Sequence, residues 1–321
     1  MIVHRFPSVS DPLPRGGVVT IGNFDGVHRG HQMLLGDAVG RARRLGVPAV
    51  AVTFEPHPEK VLRPGSGVRL VTTPEQRAQL LGRCGITELV VLCFDRELAA
   101  TSAESFAREW LFGRLAPREI RLGANFRFGS GRVGDVAFLA ALAPGYDCVV
   151  HGAEPLAEGG EAISTTRVRR VVAAGDVALA ARLLDRPLHV DGTVREGARR
   201  GRLLGFPTLN VELENELLPA AGVYVGAVQL DGEAELRQAV TNVGVRPTLE
   251  VAGPLVVESH VLDFTGDAYD RAVRLFFLER LRDERRFASA AELAAQIGRD
   301  VGAAREWFVA RPAALDGAVP R

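Results

Sequence analysis

Lysine is almost absent from this chain: Lys60 is the only one among 321 residues, so nearly all positive charge is carried by arginine. No Walker A sequence occurs anywhere, and a phosphate loop here has to be of another kind. Net charge is absent too. Acidic and basic residues balance at 39 each, which removes the global field that draws in nucleic acid or an anionic membrane, so an anion site must be local. The lack of a basic stripe interleaved with aromatics argues further against nucleic acid. The three cysteines (Cys84, Cys93, Cys148) have neither paired nor metal-like spacing. Cys93 lies in the apolar run ELVVLCF, which predicts a buried, reduced thiol and a reducing compartment. The opening MIVHRFPSVSDPLPRGG lacks the apolar core of a signal peptide, and no run reaches the roughly 18 residues that span a bilayer. Internal repeats and low-complexity segments are missing as well. A cytoplasmic protein with no membrane partner is expected; a homo-oligomer is left open.

What is present is an ordinary globular composition, long enough for two domains. From residue 17 to about 183, apolar strand candidates (VVTIG, AVAVTF, ELVVLCF, EIRLG, CVVHG) alternate with helical stretches. That alternation predicts βαβ units and a parallel sheet covered on both faces. Beyond residue 185 the texture changes to short strand-like runs (HVDGTV, FPTLNV, GVYVGAVQL, RQAVTNVG, VVESHVLDF, AVRLFFLERL) between glycine, proline and acidic turns. One helix follows at 289 to 308. The expectation is an α/β domain over 1–185 and a small antiparallel barrel with a terminal helix over 186–321. Pro187 marks the boundary by restarting the chain in extended form after VALAARLLDR.

Residues 20 to 32 read TIGNFDGVHRGHQ, between a buried strand and a helix with Leu34, Leu35, Ala38, Ala42 and Leu45 on one face. A glycine-rich turn feeding a helix at the end of a parallel strand exposes backbone N–H groups and the positive end of the helix dipole. Gly22, Gly26 and Gly30 permit close backbone approach. His28 and His31 add donors that cancel charge building on a phosphate. The same pair also reads as a metal pair or as two surface histidines, because His-x-x-His alone is a short pattern.

In the second half, GTVREGARRGRLLGFPTLN (192–210) contains glycine and arginine near a proline-fixed turn. Gly201 and Gly205 are candidate backbone donors, and Thr208 and Asn210, sharing one strand face, are candidate hard-oxygen ligands for Mg²⁺. A turn with two satisfied polar side chains is the alternative. Arg199, Arg200 and Arg202 form a local basic cluster, either a nucleotide-covering loop or a solvated face. Glu258 shares its strand face with Val256, His260 and Leu262. A carboxylate there is either a general base or a salt-bridged barrel residue.

The segments GNFDGVHRGH (22–31), TFEPHP (53–58), LGANFRFGSGRVGD (122–135) and ISTTRVRR (163–170) occur in that order. Together they resemble the adenylyltransferase half of the prokaryotic bifunctional riboflavin kinase/FMN adenylyltransferase family, also called FAD synthetase. Likewise GRLLGFPTLN, PAAGVYVGAV, TNVGVRPTL, VESHVLDF and LRDERRFASAAELAAQIGRD follow the order of its riboflavin kinase module, a six-stranded barrel. The resemblance implies an enzyme that phosphorylates riboflavin to FMN and then adenylylates FMN to FAD, each with ATP, releasing pyrophosphate in the second reaction. ATP is then expected at Gly22, Asn23, Phe24, Asp25, Gly26, Gly30, Ser164, Thr165, Thr166 and Arg169 of the first domain. Flavin is expected at Phe54, Pro56, His57, Pro58, Asn125 and Phe128, with His28, His31 and Arg167 stabilising charge. In the second domain the resemblance implies ATP at Gly201, Gly205 and Pro207, Mg²⁺ at Thr208 and Asn210, and Glu258 as base. Asn125 stands where many relatives carry Asp, and Leu209 replaces the alanine of P-T-A-N; on a strand it points away from Thr208 and Asn210. By the residues alone, Phe54 and Phe128 also read as core, and Thr165 and Thr166 as an N-cap. Asp263, Arg282 and Phe287 are candidates for the flavin side of the kinase. Two rivals remain: a nucleotidyltransferase for another phosphorylated substrate with a flavin-sensing barrel, and a flavin-storage protein. Thr208, Asn210 and Glu258 argue against the first, and two ATP signatures against the second.

Overall fold

The computed structural model describes residues 1–8, 10–197, 201, 204–247 and 252–316, and the chain packs as two compact units. The first comprises Met1–Arg69 and Pro74–Thr165. Its six strands are β1 (Ile2–Arg5), β2 (Val18–Ile21), β3 (Ala49–Glu55), β4 (Glu88–Cys93), β5 (Glu119–Gly123) and β6 (Val149–Ala153). They pair in the order β1-β4-β3-β2-β5-β6, every pairing parallel. The helices are α1 (Arg29–Leu45), α2 (Pro58–Leu62), α3 (Pro74–Arg83), α4 (Arg96–Ala100), α5 (Ala103–Ser105), which runs into π-helical turns over Phe106–Leu115, and α6 (Val136–Leu142). A short hairpin pairs β7 (Ala157–Glu158) with β8 (Glu161–Ala162). The edge strand β1 was not expected; its four residues are too few for a periodic signal.

Strands buried on both faces explain the nearly unbroken apolar runs. Val18, Ala49, Ala51, Leu89 and Val91 share a core with Leu35, Ala38 and Ala42 of α1 and with Leu80 and Leu81 of α3. Their neighbours Val19, Ile21, Val50, Val52, Val90 and Leu92 pack with Phe106, Leu111, Phe112 and Leu115 on the opposite side. Helix α1 stops at Gly46, whose φ of 66° lets its N–H reach the carbonyls of Ala42 and Arg43. From β2 the chain steps to β3 and β4 on one side, whereas β5 lies on the other. The order therefore reverses between β2 and β5, where open α/β sheets form a crevice beyond the carboxyl ends of their strands. One sequence expectation fails here. Cys93, the last residue of β4, is exposed because the buried run ends at Leu92; Cys148 is the buried thiol, pushed up to about 12 by burial.

The second unit takes Leu70–Thr73 and the chain from Thr166 onward. Here β9 (Leu188–Arg195), β10 (Leu209–Leu213), β11 (Gly222–Leu230), β12 (Arg237–Pro247), β13 (Ala252–Val261) and β14 (Ala272–Arg282) close an antiparallel barrel in the order β10-β13-β12-β11-β14-β9. The terminal helix α9 (Ala290–Ala310) lays Ala304 and Phe308 against Val223, Val225, Ala227 and Phe276. Helices α7 (Thr165–Ala173) and α8 (Val177–Leu184) precede the barrel, and α8 packs on β9 and β14 with Val177, Ala180, Leu183 and Leu184 buried. The packing division thus precedes the change of sequence texture at residue 185. An amphipathic helix follows the surface that buries it, wherever the repeating pattern ends.

Candidate active sites

The turn between β2 and α1 is strained, and the strain is anchored. Phe24, Gly26 and Val27 have φ of 50°, 77° and 37°, and for a β-branched residue such as Val27 this region is a true outlier. Phe24 and Val27 persist in it because both side chains are sunk in the core beneath α1. Of the expected nucleotide-binding residues, Phe24 and Asp25 are thus buried side chains, while the turn offers its backbone. His28 caps α1: its Nδ1 accepts from the His31 N–H at 3.3 Å, which leaves the proton of a neutral ring on Nε2. The two imidazoles stack 3.7 Å apart at 15°. Parallel rings send their lone pairs into parallel planes and do not converge on one ion, so the metal-pair alternative loses its geometry. Burial, and then the neighbouring His28, hold His31 well below the ordinary histidine range, and its Nδ1 has no hydrogen-bond partner among the described residues. A Cβ on Gly30 would lie 3.2 Å from His28 Cε1, so glycine there makes room for the ring.

The ISTTRVRR segment does not precede a helix, as the N-cap reading had it; it opens one, with α7 starting at Thr165. The Thr165 hydroxyl donates to the Asp25 carbonyl at 3.2 Å, tying this segment to the strained turn. Ser164 is half-buried and Thr166 exposed. Arg167 is buried on α7, with Arg169 half-buried and Arg170 exposed.

After β3, His57 caps α2 by accepting the Glu59 N–H at Nδ1, and its Nε2 lies 3.1 Å from the Asn23 amide. His57 is buried, Pro58 half-buried and Pro56 exposed. Phe54 keeps part of its ring accessible and meets Phe94 and Phe106 at 5.7 and 6.4 Å. Phe128 is buried among Phe106, Phe126 and Phe138, whereas Asn125 in the same loop is exposed. The turn, His57 and Phe54 all gather around the ends of β2 and β3. Sequence reading missed the buried pair beneath them. Arg77 of α3 donates to Glu55 Oε1 at 2.5 Å and to the Asn23 carbonyl at 3.4 Å. An arginine in a helix that otherwise reads as amphipathic gives no local signal of burial.

In the barrel, register does what spacing could only suggest. Asn210 of β10 and Asn242 of β12 both pair with Glu258 of β13, one on each side, so the three side chains share a face. Leu209 pairs with Ser259 and falls on the other face, with Thr241 and its 3.0 Å hydroxyl contact to Ser259. That opposite face, carrying Val257, Ser259 and Val261, is the fully buried one. Glu258 and His260 are half-buried, which corrects the expectation of a carboxylate on the apolar face. His260 Nδ1 donates to the Pro207 carbonyl at 2.7 Å, fixing the chain just before Thr208. A Cβ on Gly197 would overlap the Asn210 amide, and one on Gly201 would lie 3.3 Å from Thr208 Oγ1. A Cβ on Gly244 would overlap the Glu284 carboxylate and lie 3.0 Å from Asn242 Nδ2. Asn242 and Glu284 thus join the face by tertiary placement. Gly205 and Pro207 are exposed beside it, and Arg199, Arg200 and Arg202 lie outside the described residues. Asp263 pairs with Arg305 at 2.8 Å and Arg282 with Asp300 at 2.7 Å, Phe287 lying under the Arg282 guanidinium; these contacts join the ends of β13 and β14 to α9.

Two family models match the chain: FAD synthetase over residues 10–167 and riboflavin kinase over 184–308. The bifunctional riboflavin kinase/FMN adenylyltransferase of Pseudomonas fluorescens is 41% identical over 294 residues, 92% of this chain and 94% of that protein. Its namesakes from Escherichia coli K12 and Bacillus subtilis 168 are 37% and 33% identical, covering 96% and 91% of this chain and 97% and 92% of theirs. A crystal structure described as a macrolide-efflux protein from Streptococcus pneumoniae matches with a TM-score of 0.87 at 30% identity, over 96% of this chain and 100% of that one. Among the described residues, no helix is long and apolar enough to cross a membrane.

Proposed function

Because this chain belongs to the bifunctional riboflavin kinase/FMN adenylyltransferase family, it converts riboflavin to FMN and FMN to FAD with ATP, and we propose how its residues divide that work. Residues 1–185 carry adenylyl transfer and 186–321 the kinase. In the first site the FMN phosphate attacks the α-phosphorus of ATP and pyrophosphate leaves, with no covalent enzyme intermediate required. The backbone of Gly22 to Gly26, Gly30, Ser164, Thr165, Thr166 and Arg169 hold the nucleotide at the positive end of α1. His28, His31 and Arg167 stabilise the developing charge. A His31 held neutral gives one N–H, and an arriving polyanion raises its proton affinity. Phe54, Pro56, His57, Pro58, Asn125 and Phe128 border the flavin, with Phe54 and Asn125 the accessible members.

In the kinase site Glu258 accepts the proton of the ribityl 5′-hydroxyl as that oxygen attacks the γ-phosphorus. Gly201, Gly205 and Pro207 line the nucleotide. The hard oxygens of Thr208 and Asn210 fit Mg²⁺, and Gly197 and Gly201, having no Cβ, let the chain pack closely against both side chains. When bound, such a cation neutralises phosphate charge. The observation that carries this assignment is the cross-strand pairing of Asn210 with Glu258, which sets a carboxylate beside the oxygen ligands. No disulfide joins the three cysteines, which supports a reducing, cytoplasmic setting.

A time course with riboflavin, ATP and Mg²⁺, resolving riboflavin, FMN and FAD, tests the division. Glu258→Ala is expected to stop at riboflavin yet convert supplied FMN, losing about 10²-fold or more in kinase kcat. His28→Ala is expected to accumulate FMN, slowed about 10²-fold at the FAD step alone. Loss of both reactions in either variant would refute two separate sites.

A further inference from the structure

The buried cation beneath the nucleotide turn has no part in the chemistry just assigned. Arg77 is 3% exposed and lies on α3, an element that contributes none of the assigned site residues. Its guanidinium spans two segments: one nitrogen donates to Glu55 Oε1 at 2.5 Å, the other to the Asn23 carbonyl at 3.4 Å. Glu55 directly precedes Pro56 of the flavin segment, and Asn23 opens the strained nucleotide turn. Both anchors are saturated. Arg5 of β1 donates to the second Glu55 oxygen at 2.6 Å, and the Thr53 hydroxyl donates to the Asn23 carbonyl at 3.2 Å. Burial lowers the proton affinity of Arg77, while Glu55 and Asp25 act to keep it charged. Beyond Asn23 the turn continues to Phe24, whose ring meets the His31 edge at 5.3 Å.

A buried ion pair is a weak source of stability, since apolar residues of similar volume often serve as well or better. What it supplies is a fixed distance between the groups it joins. We propose that Arg77 is a positioning residue for adenylyl transfer, clamping the Asn23 turn to the Glu55–Pro56 segment so that the phosphates of ATP and FMN meet in line. The inference rests on the site proposed around His28. Misplacement by about 1 Å of groups held for direct attack costs on the order of 10²-fold in rate. Ground-state binding, which each segment supplies separately, is little affected.

The test compares wild type, Arg77→Lys, Arg77→Met, Glu55→Gln and His28→Ala as full-length chains. Each is assayed for FMN-to-FAD and riboflavin-to-FMN conversion, the second reaction serving as an internal measure of folded protein. Arg77→Lys keeps the charge without the two-pronged reach. The expected result for it is a fall of about 10- to 100-fold in the kcat of FAD formation, with KM for FMN and ATP within about threefold and kinase turnover unchanged. Arg77→Met should fall further, and Glu55→Gln in the same direction. The proposal is overturned if FAD kcat stays within about twofold of wild type, if KM rises while kcat holds, or if all three variants lose both reactions in parallel. Should His28→Ala leave FAD formation intact, the site assignment falls and this inference with it. A blocked His28→Ala beside a normal Arg77→Lys overturns the inference alone.

Discussion

Val27, with its φ of 37°, and His28, with its ring stacked on His31, show how a handful of residues is held in an expensive arrangement. Strain of this kind costs on the order of 1–3 kcal/mol per residue and persists only where the surroundings over-determine it. Gly30 tests that arrangement at single-atom scale. Alanine there would press a methyl to 3.2 Å from the His28 ring, while removing the entropic cost of glycine in a helix, about 0.5–1 kcal/mol. Gly30→Ala is therefore expected to leave the melting temperature unchanged or slightly raised while FAD formation falls about tenfold. Thermal melts and FMN-to-FAD kinetics on one preparation check it; a lower melting temperature with full activity would contradict it. The motif residues were legible one by one, because glycine, histidine and hydroxyl spacing is local. That Thr165 donates to Asp25, and that Phe24 serves the core with its side chain, was not legible, since both depend on which surfaces meet.

At the scale of elements, alternation and periodicity marked strands β2 to β6 and the main helices, while the four-residue β1 carried too little pattern. The corner between α7 and α8 shows what pattern cannot supply. Gly175 has φ 81°, and a Cβ there would stand 2.8 Å from Tyr224 Oη, 3.1 Å from Arg280 Cζ and 3.2 Å from Ala220 Cβ. Tyr224 Oη is already committed, donating to the Ala220 carbonyl at 2.5 Å. Gly175→Ala therefore combines an unfavourable φ with overpacking, and should lower the unfolding free energy by about 2–3 kcal/mol in urea titrations. Kinase activity of the folded fraction should be retained. In the barrel, spacing alone placed Thr208 and Asn210 together, but only the antiparallel register brought Glu258 and Asn242 to Asn210. Pairing partners lie far apart along the chain, so no window of sequence contains them.

For the whole molecule, acid sensitivity follows from a buried histidine in the barrel wall. His189 on β9 is pushed down to about 3, first by burial and then by the Arg274 guanidinium, itself bound to Asp191 at 2.6 Å. The unfolded chain takes up this proton near pH 6.5 while the folded one stays neutral. Stability from His189 is thus complete above about pH 6.5 and falls by about 1.4 kcal/mol per pH unit below it, toward the folded value. Between pH 7 and 5, His189→Gln should lose less stability than wild type by about 2 kcal/mol, measured by urea unfolding at both pH values. Equal slopes would refute the assignment. The two fold classes and the family were readable along the chain, together with the candidate residues of both sites, because apolar periodicity, turn chemistry and short motifs are carried by neighbouring residues. Which of those residues meet was set by packing alone. The exposure of Cys93, the half-buried face of Glu258 and the buried Arg77 clamp all depend on strand register and on which helix covers which surface, and these are settled by packing between segments distant in the chain.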